Sequence, residues 1–439
     1  MHQEILDYID TLQPELIRLR RDLHLHAESG WVEFRTSTLV AQRLHELGYS
    51  LKLGREVLNA GARMGLPPAD VLAREEQRAI DQGALRDWLG HFSGGFCAIV
   101  ATLETGRPGP TIAFRVDMDA LDLNESTADD HRPAHDGFAS CNPGMMHACG
   151  HDGHTAIGIG LASALRQAVD RLNGTIKLIF QPAEEGTRGA RAMVEAGVVD
   201  DVDFFSAIHI GTGVPAGELV CGSASFMATT KLDVRFKGVA AHAGGLPEQG
   251  RNALLAAAHA TLALHSLTQH SGGAGRVNVG VMQAGSGRNV VPDNALLKVE
   301  TRGVSNEVND HICQQARQVI AGAAAMFGVE QEITLMGSAR SAIPSAPWVR
   351  FIRQQAEASG EFTTLTDSRP EAAGSEDATW MIERVQQRGG QASYLIFGTD
   401  LSAGHHHGKF DFNEQVMLTA VKTLTLLALN LPQFTPGEA

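Results

Sequence analysis

Long apolar runs are missing from this sequence. No stretch approaches the roughly 18 uninterrupted apolar residues that cross a bilayer, so no membrane span is expected. The first residues carry Glu4, Asp7 and Asp10 and lack the basic start and apolar middle of a signal peptide. Cysteine is scarce: Cys97, Cys141, Cys149, Cys221 and Cys313, an odd count spread over 439 positions. That argues against a disulfide framework and for reduced thiols in a cytoplasmic protein. Basic residues are outnumbered, 36 against 50 acidic ones, for a formal charge of −14. Nucleic acid is therefore a poor partner, because phosphate binding needs a basic patch. An anionic small molecule is not excluded, since a buried site sets its own local field. Repeats with a period of roughly 20–50 residues and low-complexity tracts are also absent.

What is present is an ordinary globular mixture, 43% hydrophobic and 20% charged. A chain of 439 residues exceeds the usual size of one hydrophobic core, so two domains are expected. Ile5, Ile9, Leu12, Leu16, Leu19 and Leu23 recur at helical steps, with a restart at Pro14. A second helix is expected over about 36–47, ending before Gly48. Residues 55–92 hold a Pro67-Pro68 turn and a charged amphipathic helix with Trp88 and Leu89, read as a helical insertion. Apolar strands are expected at 111–116, 175–180 and 204–209, with a small-residue helix over 154–172. Strands alternating with helices predict an α/β sheet, largely parallel.

From about residue 222 the pattern changes. Leu232, Val234 and Phe236 alternate with charged residues, then come a helix (252–267), two strands (276–283 and 295–302), a helix (306–327) and a strand (331–336). That order, β-α-β-β-α-β, is the ferredoxin-like unit, here inserted into the larger domain. The α/β pattern resumes after 341, with helices near 348–358 and after Asp377 and a strand at 392–397. The expected division is 1–221 and 341–439 for the two parts of the larger domain and 222–340 for the insert.

The densest chemistry lies in His147-Ala148-Cys149-Gly150-His151-Asp152-Gly153-His154. Thiolate and imidazole are both metal donors, and the spacing of Cys149 and His151 lets both point the same way. A redox or catalytic cysteine beside chance histidines stays open on this segment alone. Gln181-Pro182-Ala183-Glu184-Glu185-Gly186 follows an expected strand, where ligands gather in α/β sheets. Adjacent buried carboxylates repel, so such a pair needs a cation or a proton; a solvated loop is the bland alternative. His209 closes an apolar strand and is either a ligand or a core histidine satisfied by a carbonyl. The tract Gly404-His405-His406-His407 offers another imidazole or a surface run. Together these groups suit one or two borderline divalent ions, which activate water and polarise a carbonyl.

These motifs, with Arg115-Val116-Asp117-Met118-Asp119-Ala120-Leu121, resemble in order and spacing the M20 metallopeptidase superfamily, in its branch of N-acyl-amino-acid, hippurate and auxin-conjugate amidohydrolases. The resemblance runs nearly end to end and implies a zinc-peptidase-like catalytic domain with a largely parallel mixed sheet, plus an inserted lid and dimerisation domain. It places the metal ligands on Cys149, His151, Glu185, His209 and His406, with Cys149 bridging two ions, manganese or zinc. His406 is chosen within its triplet because it lies four residues before Phe410. The resemblance makes Glu184 the general base and Asp119 the acid that orients a ligand, and puts Asp117 where other branches carry a metal-binding His. It gives His242, in Ala240-Ala241-His242-Ala243-Gly244, an oxyanion role across a dimer. Asn289 falls near the substrate carboxylate, and Arg302 is a second candidate, with a surface salt bridge as its alternative.

The segments Ala27–Thr36, Gly54–Val57 and Met227–Lys231 narrow the resemblance further. They imply hydrolysis of p-aminobenzoyl-glutamate, a folate breakdown fragment, to p-aminobenzoate and glutamate, with a related second polypeptide as the partner in a heteromer. A hippurate-type aminoacylase is the nearest alternative. A non-catalytic member of such a heteromer is the alternative of another class; the intact ligand set with Glu184 argues against it.

Overall fold

The most apolar runs of the chain lie side by side in the computed structural model, which describes residues 2–224, 226–369 and 374–435. These residues fall into two compact units, the first drawn from Met1–Ser225, Ala342–Glu371 and Trp380–Ala439, the second from Phe226–Ser341 and Ala372–Thr379.

The first unit holds an eight-stranded sheet. Its strands are β1 (Ser50–Leu53), β2 (Ile99–Glu104), β3 (Thr111–Asp117), β4 (Thr175–Gln181), β5 (Phe204–Ile210) and β6 (Glu218–Val220), joined by two that come after the second unit in the chain. Those two are β11 (Thr364–Thr366) and β12 (Gln391–Phe397); the four strands that lie in sequence between β6 and β11 belong to the second unit. The spatial order is β1-β2-β4-β3-β5-β12-β6-β11. The central strands β4, β3, β5 and β12 are mutually parallel and buried on both faces, so they read as continuous apolar runs. Antiparallel pairings at β1–β2, β2–β4 and β12–β6 make the sheet mixed. Asp117 is in register with Gln181 and Ile210 with Phe397, so the parallel strands deliver their C-terminal ends to one edge.

The helix His151–Gln167 crosses this sheet almost wholly buried. It begins three residues before the expected 154, because Gly150 at φ +95° turns the chain into it, and it ends short of 172. A Cβ at Gly158 would come within 2.7 Å of Phe180, so the small residues let helix and sheet close up. Pro14 lies in the first turn of the helix Gln13–Leu25, just after the helix Gln3–Thr11, which is where proline is tolerated. The 55–92 region carries the helices Ala69–Asp81 and Arg86–Leu89 and packs Leu72, Ala79, Leu89 and Phe92 into the same core. The helix Val416–Asn430 had no counterpart among the elements expected from sequence. The window Val416–Gln433 is long and apolar enough to cross a membrane, yet 72% of it is buried within the fold, with Val421, Leu424 and Leu427 in the core.

The second unit is a four-stranded antiparallel sheet of β7 (Ala228–Lys237), β8 (Gly275–Ala284), β9 (Asn294–Gly303) and β10 (Glu330–Ala339), in the order β10-β7-β9-β8. The helices Ala253–Leu264 and Asn306–Met326 follow β7 and β9. They start at the N-caps Asn252 and Ser305, whose side chains accept from Leu255 N and Val308 N. Leu232, Val234 and Phe236 meet Leu297, Val299, Ile312 and Ile320 in one core, which accounts for the alternation in sequence.

Candidate metal centre

At the C-terminal edge of the central strands the first unit gathers its titratable groups. Gly150 brings the chain off a loop and onto a helix whose first residue is His151; a Cβ there would meet Ile210 at 2.9 Å, next to His209. The ligand atoms of Cys149, His151 and His209 lie within 4.8 Å of one another, as do those of Cys149, Glu185 and His406, and of His151, Glu184 and Glu185. Cys149 belongs to two of these groups. Its Sγ is 3.5 Å from His209 Nε2, and His406 Nε2 is 3.4 Å from Glu185 Oε1.

The hydrogen bonds test whether these groups fit a metal. His151 is fully buried, and neither ring nitrogen has a hydrogen-bond partner; Glu185 Oε1 is buried without one as well. Buried polar atoms left bare cost free energy and call for an ion or water to complete them. One thiolate, three imidazoles and a carboxylate around a shared space are a donor set for borderline divalent cations. Burial first, then His154 and His405, push His209 well below the usual imidazole range, so it stays neutral and able to ligate.

The geometry separates the three adjacent histidines. His405 Nε2 accepts from Thr212 N at 2.8 Å, and His407 Nδ1 accepts from Lys409 N at 3.0 Å. His406 sits at φ +62° and its N–H donates to Ala148 O at 2.8 Å, which sets its ring beside Cys149 and Glu185. Ala183, Thr187 and Thr212 also have positive φ; left-handed backbone costs an L-residue roughly 1–2 kcal/mol, and such strain clusters at working sites.

Asp119 organises the carboxylates. Its Oδ1 accepts from Glu184 N (2.9 Å), its Oδ2 accepts from Glu185 N (3.0 Å), and Oδ1 lies 3.4 Å from His151 Nδ1. One side chain thus fixes the two-glutamate loop and lies beside His151, a candidate ligand. Asp117 is occupied differently: Oδ1 accepts from His154 Nδ1 at 2.6 Å and Oδ2 from Arg115 at 2.7 Å. Against burial, which would raise it, His151 and Arg115 hold Asp117 well below the usual carboxylate range.

The sequence alone had assigned His154 no role. It lies three residues past His151 on the same helix, stacked at 5.3 Å, and its Nε2 accepts from Ile210 N at 3.0 Å. Its helical spacing from His151 was the available signal. Beneath the start of this helix, Asp152 is buried with Arg20 Nε at 2.8 Å and His24 Nδ1 at 2.9 Å. Arg20 also meets Asp411 (2.8 Å) and Glu414 (3.3 Å).

His242, Asn289 and Arg302 belong to the second unit. His242 and Asn289 are exposed on adjoining segments, where Ala243 N donates to Asn289 O at 3.0 Å. His242 Nδ1 accepts from Gly244 N (3.2 Å) and Gly245 N (2.9 Å), which leaves the ring proton on Nε2. Arg302 Nε pairs with Glu300 Oε2 at 3.1 Å along β9, the salt bridge weighed as its alternative.

Residues 113–430 match the pattern of peptidase family M20/M25/M40. The chain belongs to this family. Among M20 relatives, it is 65% identical to an indole-3-acetyl-aspartic acid hydrolase of Enterobacter agglomerans, across 97% of this chain and 98% of that one. It is 63% identical to one of the named subunits of the p-aminobenzoyl-glutamate hydrolase of Escherichia coli, across 98% and 99%. A crystal structure of an aminobenzoyl-glutamate utilization protein from Klebsiella pneumoniae, 56% identical, superposes with a TM-score of 0.87 over 98% of this chain and 99% of that one. M20 membership and the donor set together make the chain a metal-dependent amidohydrolase.

Proposed function

We propose that this amidohydrolase cleaves p-aminobenzoyl-glutamate to p-aminobenzoate and glutamate. The observation that carries the reading is the 63% identity, over nearly the full length, to the Escherichia coli p-aminobenzoyl-glutamate hydrolase chain, supported by the clustering of possible ligand atoms from Cys149, His151, Glu185, His209 and His406. The Enterobacter relative favours a second reading, indole-3-acetyl-aspartate. The two substrates share an aromatic acyl group on an acidic amino acid, so that class is common to both readings, and a hippurate-type substrate is the outlier.

In the proposed reaction Cys149, His151, Glu185, His209 and His406 would hold two divalent ions, manganese or zinc. Bound ions of this kind polarise the scissile carbonyl and make water acidic enough to be deprotonated near neutral pH. Glu184 takes the water's proton and delivers it to the departing amino-acid nitrogen. His242 donates its Nε2–H to the oxyanion in a partner copy's site, which the fixed tautomer supports. Asn289 and Arg302 are proposed to read the substrate carboxylate. The second unit, about 222–340, is proposed as a ferredoxin-like lid and dimerisation domain; its strand order and β-α-β-β-α-β succession support the fold. A second, related polypeptide is a proposed partner, because the Escherichia coli relative is named as one subunit of its hydrolase. A cytoplasmic location belongs to the same proposal, supported by five unpaired cysteines.

The test is p-aminobenzoate release by metal-resupplied protein, with and without the related second polypeptide, beside indole-3-acetyl-aspartate and hippurate. A Glu184→Ala variant serves as the inactive control. Faster turnover of indole-3-acetyl-aspartate would move the assignment to the second reading. Silence on every substrate would favour a non-catalytic binding role in a heteromer.

A further inference from the structure

Three successive amides in the two-glutamate loop end on buried carboxyls. Ala183 N donates to Glu33 Oε1 at 2.7 Å, and Glu184 N and Glu185 N donate to the two oxygens of Asp119 at 2.9 and 3.0 Å. Glu33 comes from a distant part of the chain, just ahead of the helix Phe34–Glu46, and is fully buried. A buried carboxyl is costly unless it is hydrogen-bonded, and Glu33 reaches this loop through the Ala183 amide.

That amide belongs to the residue that most needs holding. Ala183 has φ +51°, a conformation that alanine does not favour. It is packed so closely that a Cβ on Gly30 would lie 3.0 Å from it, and its carbonyl accepts from Arg188 N at 3.1 Å. The next residue is Glu184. Rotation of the 183 peptide therefore swings the carboxylate that follows it.

We propose that Glu33 is a positioning residue for the hydrolytic step: by accepting the Ala183 N–H it locks the left-handed turn that aims Glu184. The inference rests on Glu184 being the base. Burial, then the charge of Asp119, raise Glu33 well above the usual carboxylate range, so a neutral amide is its nearest mimic.

The experiment measures kcat, KM, metal content and thermal unfolding for Glu33→Gln, Glu33→Met, Glu33→Asp, Glu33→Met with Ala183→Gly, and Glu184→Ala. Small misplacements of a reacting group cost on the order of 100-fold, so Glu33→Met should lower kcat about 10- to 100-fold, with KM and bound metal unchanged. Glu33→Asp, which keeps the carboxyl and withdraws it by one methylene, should lose kcat in the same way if Glu33→Met does not fold. Glu33→Gln should restore most of the rate. Ala183→Gly should recover part of it in the Met background, because glycine takes positive φ freely. Full kcat in Glu33→Met or Glu33→Asp beside an inactive Glu184→Ala would overturn the proposal. So would a loss in Glu33→Gln equal to that in Glu33→Met. Turnover by Glu184→Ala would instead overturn the base assignment.

Discussion

Replacing Arg20 by Met tests how the fold supports the start of the helix His151–Gln167. The guanidinium is fully buried and meets Asp152 at 2.8 Å, Asp411 at 2.8 Å and Glu414 at 3.3 Å. Asp411 and Glu414 keep Arg132, and Glu414 also keeps Arg21, so both remain neutralised in the variant. Asp152 keeps His24 and the Gly153 amide but loses its guanidinium. Breaking a buried pair by removing one partner costs roughly 3–5 kcal/mol, and that figure is expected here because Asp152 is wholly buried. Trp31, Trp88, Trp348 and Trp380 all belong to the first unit, so tryptophan fluorescence in guanidinium reads that unit alone. The sign of the pH dependence follows from the carboxylates. Against burial, Arg20 and His24 lower Asp152 from 3.8, and Asp411 and Glu414 are lowered as well. A depressed carboxylate contributes its stability in full above its unfolded value and loses it as pH falls through the folded one. The gap between wild type and variant should therefore be widest at neutral pH, begin to narrow below about pH 4, and close only as pH falls through the lower folded value. A gap under about 1 kcal/mol at pH 7, or one that does not change with acid, would show that Arg20 does not neutralise Asp152 in the folded protein.

Asp119→Asn keeps the shape but sets an NH2 against one of the two loop amides; losing a charge-assisted hydrogen bond of about 1.5–3 kcal/mol should lower kcat roughly 10- to 150-fold at saturating metal. Steady-state kinetics with metal titration checks this, and a kcat within threefold of wild type would count against Asp119 as the organiser. Among His405→Ala, His406→Ala and His407→Ala, only the His406 variant should bind fewer ions, as measured by metal analysis after dialysis. Stripping the metals should lower the thermal midpoint, because a ligand bound to the folded state at about 1,000 times its Kd adds roughly 4 kcal/mol. Calorimetry with and without chelator decides it, and equal midpoints would speak against the bare buried imidazole of His151 as a ligand.

The strands β3, β4, β5 and β12 were legible because burial on both faces leaves an unbroken apolar run. The helix Val416–Asn430 was not, because it is apolar nearly all round and so shows no stripe of helical period. β1, β6 and β11 are three or four residues long and carry too little pattern to read. At the centre, residue types and order pointed to the donor segments. His406 was chosen over His405 and His407 only through the family pattern that places it four residues before Phe410; the backbone angle that sets the three rings apart, φ +62° at His406, is a property of the folded loop. Contacts such as Glu33 with Ala183 or Arg20 with Asp411 join residues far apart in the chain and leave no local trace.

The place of β12 in the sheet has a consequence for biosynthesis. It lies between β5 and β6, yet about 180 residues separate the end of β5 from its start. At about 5–20 residues per second, a ribosome takes roughly 10–35 s to bridge that gap. During that interval β5 has an open apolar edge, a template for pairing with a neighbouring nascent chain. The second unit is almost continuous in sequence and can fold while the edge waits. His406, the last of the candidate ligands in the chain, leaves the ribosome after β12, so the candidate centre cannot be assembled before the strand that closes this edge has emerged.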